Sequence, residues 1–201
     1  QRQMCIRDSH TVAYLSGFTS DPIERVLALV VFPDHAPFLF GPALEVNSMQ
    51  ASGWPYPAYG YDDQENPWAK LAQRIKKDAH GTAFAIEADN LTMARYQALQ
   101  SAFPEATFNA DITDKINTMR LIKTSDEIQH MLAAGRDADR ALAIGFDALA
   151  TGVTELGVAA QLEYELKRTG VPAMSFDTLV QFGAHAADPH GATSSRQLNP
   201  G

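Results

Sequence analysis

The residues best suited to chemistry lie in the stretch 183–191, which reads Gly-Ala-His-Ala-Ala-Asp-Pro-His-Gly. His185 and His190 can change their charge near neutral pH, and Asp188 adds a carboxylate between them. The glycine at position 191 leaves room for a ligand to approach the backbone closely. Loops often carry catalytic residues, and a strand is predicted immediately before this stretch, which makes it the first candidate for a functional site.

The pattern alone leaves three interpretations of this stretch open. In the first, His190 hydrogen-bonds a substrate carbonyl or moves a proton. In the second, His185, Asp188 and His190 bind a metal together, although their spacing on a non-helical loop is not one of the strong ligand spacings. In the third, the histidines belong to a surface loop and do no chemistry. The remaining histidines are interpreted as non-catalytic, and they are His10, His35, His80 and His130.

Two predicted helices and a predicted strand position this loop. Thr124, with Glu127 three residues later, forms a capping box, and the apolar residues that follow at helical spacing predict a helix over 124–151. A second helix is predicted over 154–169, and a strand over 175–183 leads into the loop. Each helix needs an apolar partner surface, so we expect an exposed apolar patch on both where that surface is absent.

The chain before residue 117 alternates strands with helices. Its clearest strand is the apolar run 26–32, which is followed by a hairpin partner at 37–40. Further strands are predicted at 58–61, 82–87 and 107–111, and helices at 43–52, 66–75 and 91–100. This alternation is typical of a layered α/β domain.

The pattern changes near residue 117, which divides the chain into two domains. The amino-terminal domain is predicted at 10–117 and a second, incomplete domain at 118–201, with a linker at about 114–118. Residues 1–9 have no apolar periodicity and are interpreted as a non-native or ragged tail. The turn-forming residues at 198–201 are expected to lead into another strand.

Composition excludes several classes of protein. The chain has 201 residues, a net charge of −8, 45% hydrophobic and 20% charged residues, which argues against a disordered chain and against a nucleic-acid-binding protein. The longest clean apolar run has seven residues, whereas a membrane-spanning helix needs roughly 20. Cys5 is the only cysteine, so no disulfide scaffold is possible and a cytoplasmic location is expected.

Three segments together resemble the creatinase/prolidase family. Tyr-Leu-Ser-Gly-Phe at 14–18 is similar to a motif near the start of that family's amino-terminal α/β domain. Residues 120–128 resemble the Arg-x-x-Lys-x-x-x-Glu-Ile junction that opens its α+β catalytic domain, the pita-bread fold. Residues 175–191 resemble the strand and histidine loop of that domain. The similarity covers 10–201 and is greatest to bacterial Xaa-Pro dipeptidases, also called prolidases.

The resemblance implies a cytosolic, homodimeric metallopeptidase that cuts dipeptides with a carboxyl-terminal proline. The family uses two divalent metal ions, manganese or cobalt, which activate a water molecule. His190 aligns with the family histidine that contacts the substrate and helps stabilise the reaction intermediate, and that histidine is not a metal ligand. The resemblance therefore assigns His190 a catalytic role and assigns no metal-binding or other cofactor-binding residue to this chain.

The same resemblance implies that the chain is an internal fragment. The family's metal ligands are two aspartates, one histidine and two glutamates, and all follow the histidine loop, so this chain is expected to bind no metal and to be inactive alone. The strand and helix that usually precede Tyr14 are also expected to be missing. Position 185, often asparagine in relatives, is histidine here.

Two other kinds of function stay open. An aminopeptidase P would take longer peptides, and a creatinase-like amidinohydrolase would need no metal and would use His190 as a base. A non-catalytic protein could keep the same fold and use it only to bind other proteins.

Overall fold

A computed structural model describes residues 2–6, 9–21, 23–78 and 82–200. These residues form two compact units, which are Gln1–Ile122 (unit 1) and Lys123–Gly201 (unit 2). Within the described ranges, no helix combines the length and the apolar character that crossing a bilayer requires.

Unit 1 is built on a six-stranded sheet with the order β4-β3-β2-β1-β5-β6. The strands are β1 (Arg2–Ile6), β2 (Ala28–Val31), β3 (Phe38–Pro42), β4 (Ala58–Tyr61), β5 (Ala83–Ile86) and β6 (Thr107–Asp111). The pairs β1–β2 and β2–β3 are antiparallel, and the other three pairs are parallel. The hairpin predicted from the apolar run at 26–32 is confirmed as the β2–β3 pair.

Five helices cover the two faces of this sheet. They are α1 (Ser9–Ser16), α2 (Val46–Ala51), α3 (Pro67–Asp78), α4 (Met93–Ala102) and α5 (Thr113–Leu121). Alternate residues of β3 enter two separate apolar clusters, with Phe38 and Phe40 in one and Leu39 in the other. The first cluster contains residues of α3 and α4, and the second contains residues of α1, α2 and α5, so helices cover the sheet on both sides.

Two sequence-based expectations for unit 1 need correction. The predicted linker at 114–118 lies within α5, and the units divide after Ile122. The strand expected to be missing before Tyr14 is present as β1, which pairs with β2 on one side and β5 on the other. Its sequence, Arg-Gln-Met-Cys-Ile, has no strand periodicity, so pairing with both neighbours determines its conformation. The interpretation of residues 1–9 as a non-native tail stays a prediction.

Unit 2 begins with two helices, α6 (Ser125–Asp147) and α7 (Glu155–Arg168). The predicted capping box is confirmed: the Thr124 amide donates to Glu127 Oε2 at 2.7 Å, and the Glu127 amide donates to Thr124 Oγ1 at 3.3 Å. Helix α6 ends four residues before the predicted 151, and a turn leads to Gly152, whose φ is +87°.

The strand predicted over 175–183 is wrong. This segment pairs with no strand in the described part of unit 2, and its backbone bonds to side chains instead. The Val180 amide donates to Thr193 Oγ1 at 3.0 Å, and the Phe182 amide donates to Glu155 at 2.8 Å. The apolar residues of this stretch are typical of a strand. Its backbone amides, however, donate to side-chain oxygens and not to the carbonyls of a neighbouring strand.

An apolar surface is exposed along α6 and α7, as the sequence predicts. Leu142 is 63% exposed and Phe146 is 70% exposed on α6, and Leu156 is 53% exposed on α7. These helices and the segment 179–182 line an apolar groove of about 700 Å³ within unit 2.

Candidate functional site

The histidine loop presents His190 to solvent while holding the backbone around it. The loop starts with a short 3-10 helix, Gly183–Ala187, and His190 follows on an exposed segment. The Asp188 carboxylate accepts the His190 amide at 3.0 Å, and the Gly191 amide donates to the Asp188 carbonyl at 3.3 Å. Asp188 therefore fixes the main chain at His190, while the exposed imidazole remains accessible to a ligand.

Gly191 is buried against the side chains that surround it. A methyl group at this position would overlap the amide nitrogen of Gln181 and would lie 2.8 Å from His185 Nε2. Gln181 Nε2 also donates to the Gly191 carbonyl at 2.9 Å. Any larger residue at position 191 would displace Gln181 or His185, so the close packing explains why a glycine follows His190.

Glu155 is the residue on which this part of unit 2 converges, and its side chain is fully buried. Its carboxylate accepts from the Phe182 amide at 2.8 Å, the Ser194 amide at 2.9 Å and the Ser194 hydroxyl at 2.6 Å. His185 Nδ1 lies 2.9 and 3.0 Å from its two oxygens. Because a carboxylate can only accept, Nδ1 carries the proton. The four donors connect the start of α7 to both ends of the histidine loop.

Backbone hydrogen bonds complete the same junction from the opposite direction. The Glu155 amide donates to the Arg196 carbonyl at 3.0 Å, and the Leu156 amide donates to the Ser194 carbonyl at 3.0 Å. The first amides of a helix have no partner inside the helix, and here carbonyls of the chain that follows the loop supply it. Helix α7 and the chain around 194–196 therefore hold each other by backbone and side chain together.

The local sequence gave little indication of this role for Glu155. An acidic residue in the first turn of a helix is favourable for the helix dipole, which explains it without any distant contact. Its side-chain partners lie 27 to 39 residues further along the chain. No periodicity or motif connects residues so far apart, so only the folded structure brings them together.

Two opposing effects act on the pKa of Glu155. Burial raises the pKa of its carboxyl, but hydrogen bonds from Ser194, His185 and Phe182 outweigh burial and lower it from 4.5 to about 2. A carboxyl with a lower pKa in the folded state than in the unfolded state stabilises the fold while it is ionised. The contribution of Glu155 is therefore complete above a pH of about 5 and is lost as the pH falls from about 4.5 towards 2.

We expect this pH dependence to appear when the protein is compared with its Glu155→Gln variant, since glutamine does not titrate. The difference in melting temperature should be constant from about pH 5 to 7 and should narrow below about pH 4.5. Thermal unfolding followed by circular dichroism at a series of pH values measures it. A difference that stays constant down to pH values near 3 would contradict the lowered pKa.

The structure also bears on the metal interpretation of His185, Asp188 and His190. His185 Nδ1 donates a hydrogen bond to Glu155, and Asp188 Oδ1 accepts one from the His190 amide. Among the residues described, no group of three or more histidine, cysteine, aspartate or glutamate side chains is placed to hold a metal ion. The assignment of His190 as a single site histidine stays a prediction.

The other histidines of the sequence analysis belong to other segments of the chain. His35 Nδ1 contacts Asp34 at 2.8 Å in an exposed turn of unit 1. His10 is exposed at the start of α1, and His130 is exposed on α6. His80 and the side chain of Cys5 lie outside the described residues.

Two family domains match consecutive parts of the chain. Residues 2–122 match the Creatinase/Prolidase N-terminal domain, and residues 129–201 match Metallopeptidase family M24. The matched parts correspond closely to units 1 and 2. They confirm the predicted fold class, an α/β domain followed by the start of an α+β pita-bread domain.

Individual proteins agree with the domain matches. The chain is 45% identical over 192 residues to an Xaa-Pro dipeptidase of Lactobacillus delbrueckii subsp. lactis, covering 94% of this chain and 52% of that protein. It therefore spans about half the length of this curated relative. The solved N-terminal domain of an Xaa-Pro dipeptidase from Lactobacillus brevis is 47% identical and matches with a TM-score of 0.56. The match covers 58% of this chain and 87% of that one.

A more distant structure covers almost the whole chain. The crystal structure of the prolidase from Pyrococcus horikoshii is 23% identical and matches with a TM-score of 0.85. The match covers 98% of this chain and 53% of that one. At this level of identity the similarity shows the fold alone.

Proposed function

The chain belongs to the creatinase/prolidase family, and from this we propose that it forms the amino-terminal half of an Xaa-Pro dipeptidase. The proposed enzyme hydrolyses dipeptides whose second residue is proline. The 45% identity to a relative named Xaa-Pro dipeptidase supports this substrate class. A bond to proline has no amide N–H, so peptidases that bind that group accept such substrates poorly and a dedicated site is needed.

The observation that carries the proposal is the presentation of His190. Its side chain is exposed, while hydrogen bonds at Asp188 and Gly191 hold the main chain on both sides. An imidazole N–H on such a main chain can donate to the oxygen of the scissile carbonyl and stabilise the negative charge that develops on it in the transition state. We assign His190 this role.

We propose that the enzyme depends on divalent metal ions. Family M24 is a metallopeptidase family, and divalent ions in such sites activate water and polarise carbonyl groups. Among the described residues, no three or more histidine, cysteine, aspartate or glutamate side chains are grouped where they could hold a metal ion. We propose that the remainder of the longer protein supplies the ligands for two manganese or cobalt ions. We further propose that the 201-residue chain is inactive alone and that the enzyme is a cytoplasmic homodimer.

A substrate panel tests the proposed function on the full-length protein with manganese. We expect hydrolysis of Leu-Pro, loss of that activity with a chelator, and no hydrolysis by the 201-residue chain alone. Preference for longer peptides with proline in the second position would instead identify an aminopeptidase P. Hydrolysis of creatine without metal would identify an amidinohydrolase, and inactivity towards every substrate would favour a protein-binding module.

A further inference from the structure

His185 connects the buried Glu155 carboxylate to the residue that follows His190. Its Nδ1 lies 2.9 and 3.0 Å from the two carboxylate oxygens. Its other ring nitrogen, Nε2, faces the main chain of Gly191, where an added methyl group would lie 2.8 Å away. The side chain is only 20% exposed, so the ring is enclosed between these two partners.

The imidazole ring of His185 is held by a carboxylate that is itself fixed in place. Glu155 is fully buried and is fixed independently by the Phe182 amide and by both donors of Ser194. A hydrogen bond to such a carboxylate holds the plane and the tautomer of the imidazole. The edge of the ring therefore has one position, beside the point where a side chain at residue 191 would begin.

The other members of the network do not share this contact. The atoms nearest to the side-chain position of Gly191 belong to Gln181, His185 and Asp188. Ser194 also donates to Glu155, at 2.6 Å, but it is not among these nearest neighbours. His185 and Ser194 thus resemble each other in their bond to Glu155 and differ in their contact with the backbone beside His190.

We propose that His185, oriented by Glu155, is a positioning residue that sets the direction in which His190 leaves the loop. The proposal rests on the proposed function of His190. A side chain displaced by about 1 Å from its productive position can lose about 10²-fold in rate, so a rigid support for the adjacent backbone has a measurable effect on turnover. His185 touches no substrate in this role and acts through the position of His190.

A double-mutant cycle in the full-length enzyme tests the proposal. We expect His185→Ala to lower kcat for Leu-Pro by about 10-fold with KM within about 2-fold. In the His190→Ala background the same change should lower kcat by less than about 2-fold, because the group that His185 positions is already absent. His185→Asn, whose amide can replace Nδ1 as the donor to Glu155 but lacks the ring edge beside Gly191, should keep the network intact and still lower kcat by about 10-fold, so it keeps the test valid should the alanine variant fold poorly.

Ser194→Ala is the matched control. It removes a donor from the same carboxylate, so it reports the cost of weakening the network without removing the contact at Gly191. Its effect should multiply with that of His190→Ala, as expected for independent changes. Independent effects of His185→Ala and His190→Ala, or an unchanged kcat in His185→Ala, would overturn the positioning role. An unchanged kcat in His190→Ala would instead overturn the proposed function, and the positioning role with it.

Discussion

Replacement of His190 by alanine in the full-length enzyme is expected to lower kcat for Leu-Pro by about 10²-fold or more. The imidazole is exposed on a loop whose main chain is held at Asp188 and Gly191, so the backbone that carries it has little conformational freedom left to lose when a substrate binds. A donor aimed at developing negative charge stabilises the transition state more than the bound substrate. We therefore expect the loss in kcat with a smaller change in KM.

The matched control for this experiment is His130→Ala. His130 is exposed on α6 and lies outside the histidine loop, so its removal should leave kcat unchanged. Steady-state kinetics on both variants, with circular dichroism to confirm folding, separates a local effect on chemistry from a general one. If His190→Ala and His130→Ala have the same kcat as the parent enzyme, His190 is a surface-loop histidine and the third interpretation of the sequence pattern is correct.

The second large effect is expected at Glu155, where glutamine should lower the melting temperature by about 10 °C. Glutamine matches glutamate in size but has only one oxygen. Glu155 accepts through Oε1 from Phe182 and His185, and through Oε2 from both donors of Ser194. The amide nitrogen of glutamine would face two of these donors with another donor, which leaves buried polar groups without partners.

Glu163→Gln on the same helix is the control for this prediction. Glu163 accepts from Thr178 Oγ1 at 2.8 Å and pairs with Lys167 at 3.3 Å, and its side chain is 35% exposed. Water can replace the contacts with Thr178 and Lys167 that this substitution weakens, so we expect the melting temperature to change by no more than about 2 °C. Thermal unfolding of the two variants at neutral pH measures the difference. Equal melting temperatures for both would show that Glu155 does not hold the loop in place.

Most of unit 1 and the first helix of unit 2 could be predicted because the local sequence marks where these elements lie. The apolar run 26–32 has the length and composition of a buried strand, and Thr124 with Glu127 marks the first residue of α6. Strand β1 could not be predicted, since its residues adopt an extended conformation only between two partners. The strand predicted at 175–183 was wrong for the converse reason, because apolar composition does not reveal whether a neighbouring strand exists.

The candidate site was predictable in part. The types and spacing of residues in the stretch 183–191 led to His190, and the structure places it on an exposed and supported loop. The distinct role of His185 was not predictable, because both histidines look equivalent in a glycine-bounded loop. What separates them is Glu155, which lies 30 residues before His185 and whose buried carboxylate contacts the His185 ring only in the folded chain.

The position of Glu155 in the chain also affects how unit 2 is made on the ribosome. The amino-terminal parts of a protein are synthesised first, yet among the described residues every donor to the Glu155 carboxylate follows it in the chain, the last of them at Ser194. Until Ser194 has emerged, burying the carboxylate would remove it from water without its full set of partners, which is costly. We therefore expect Glu155 to stay hydrated on a nascent α7 until the chain through Ser194 is available to bury it.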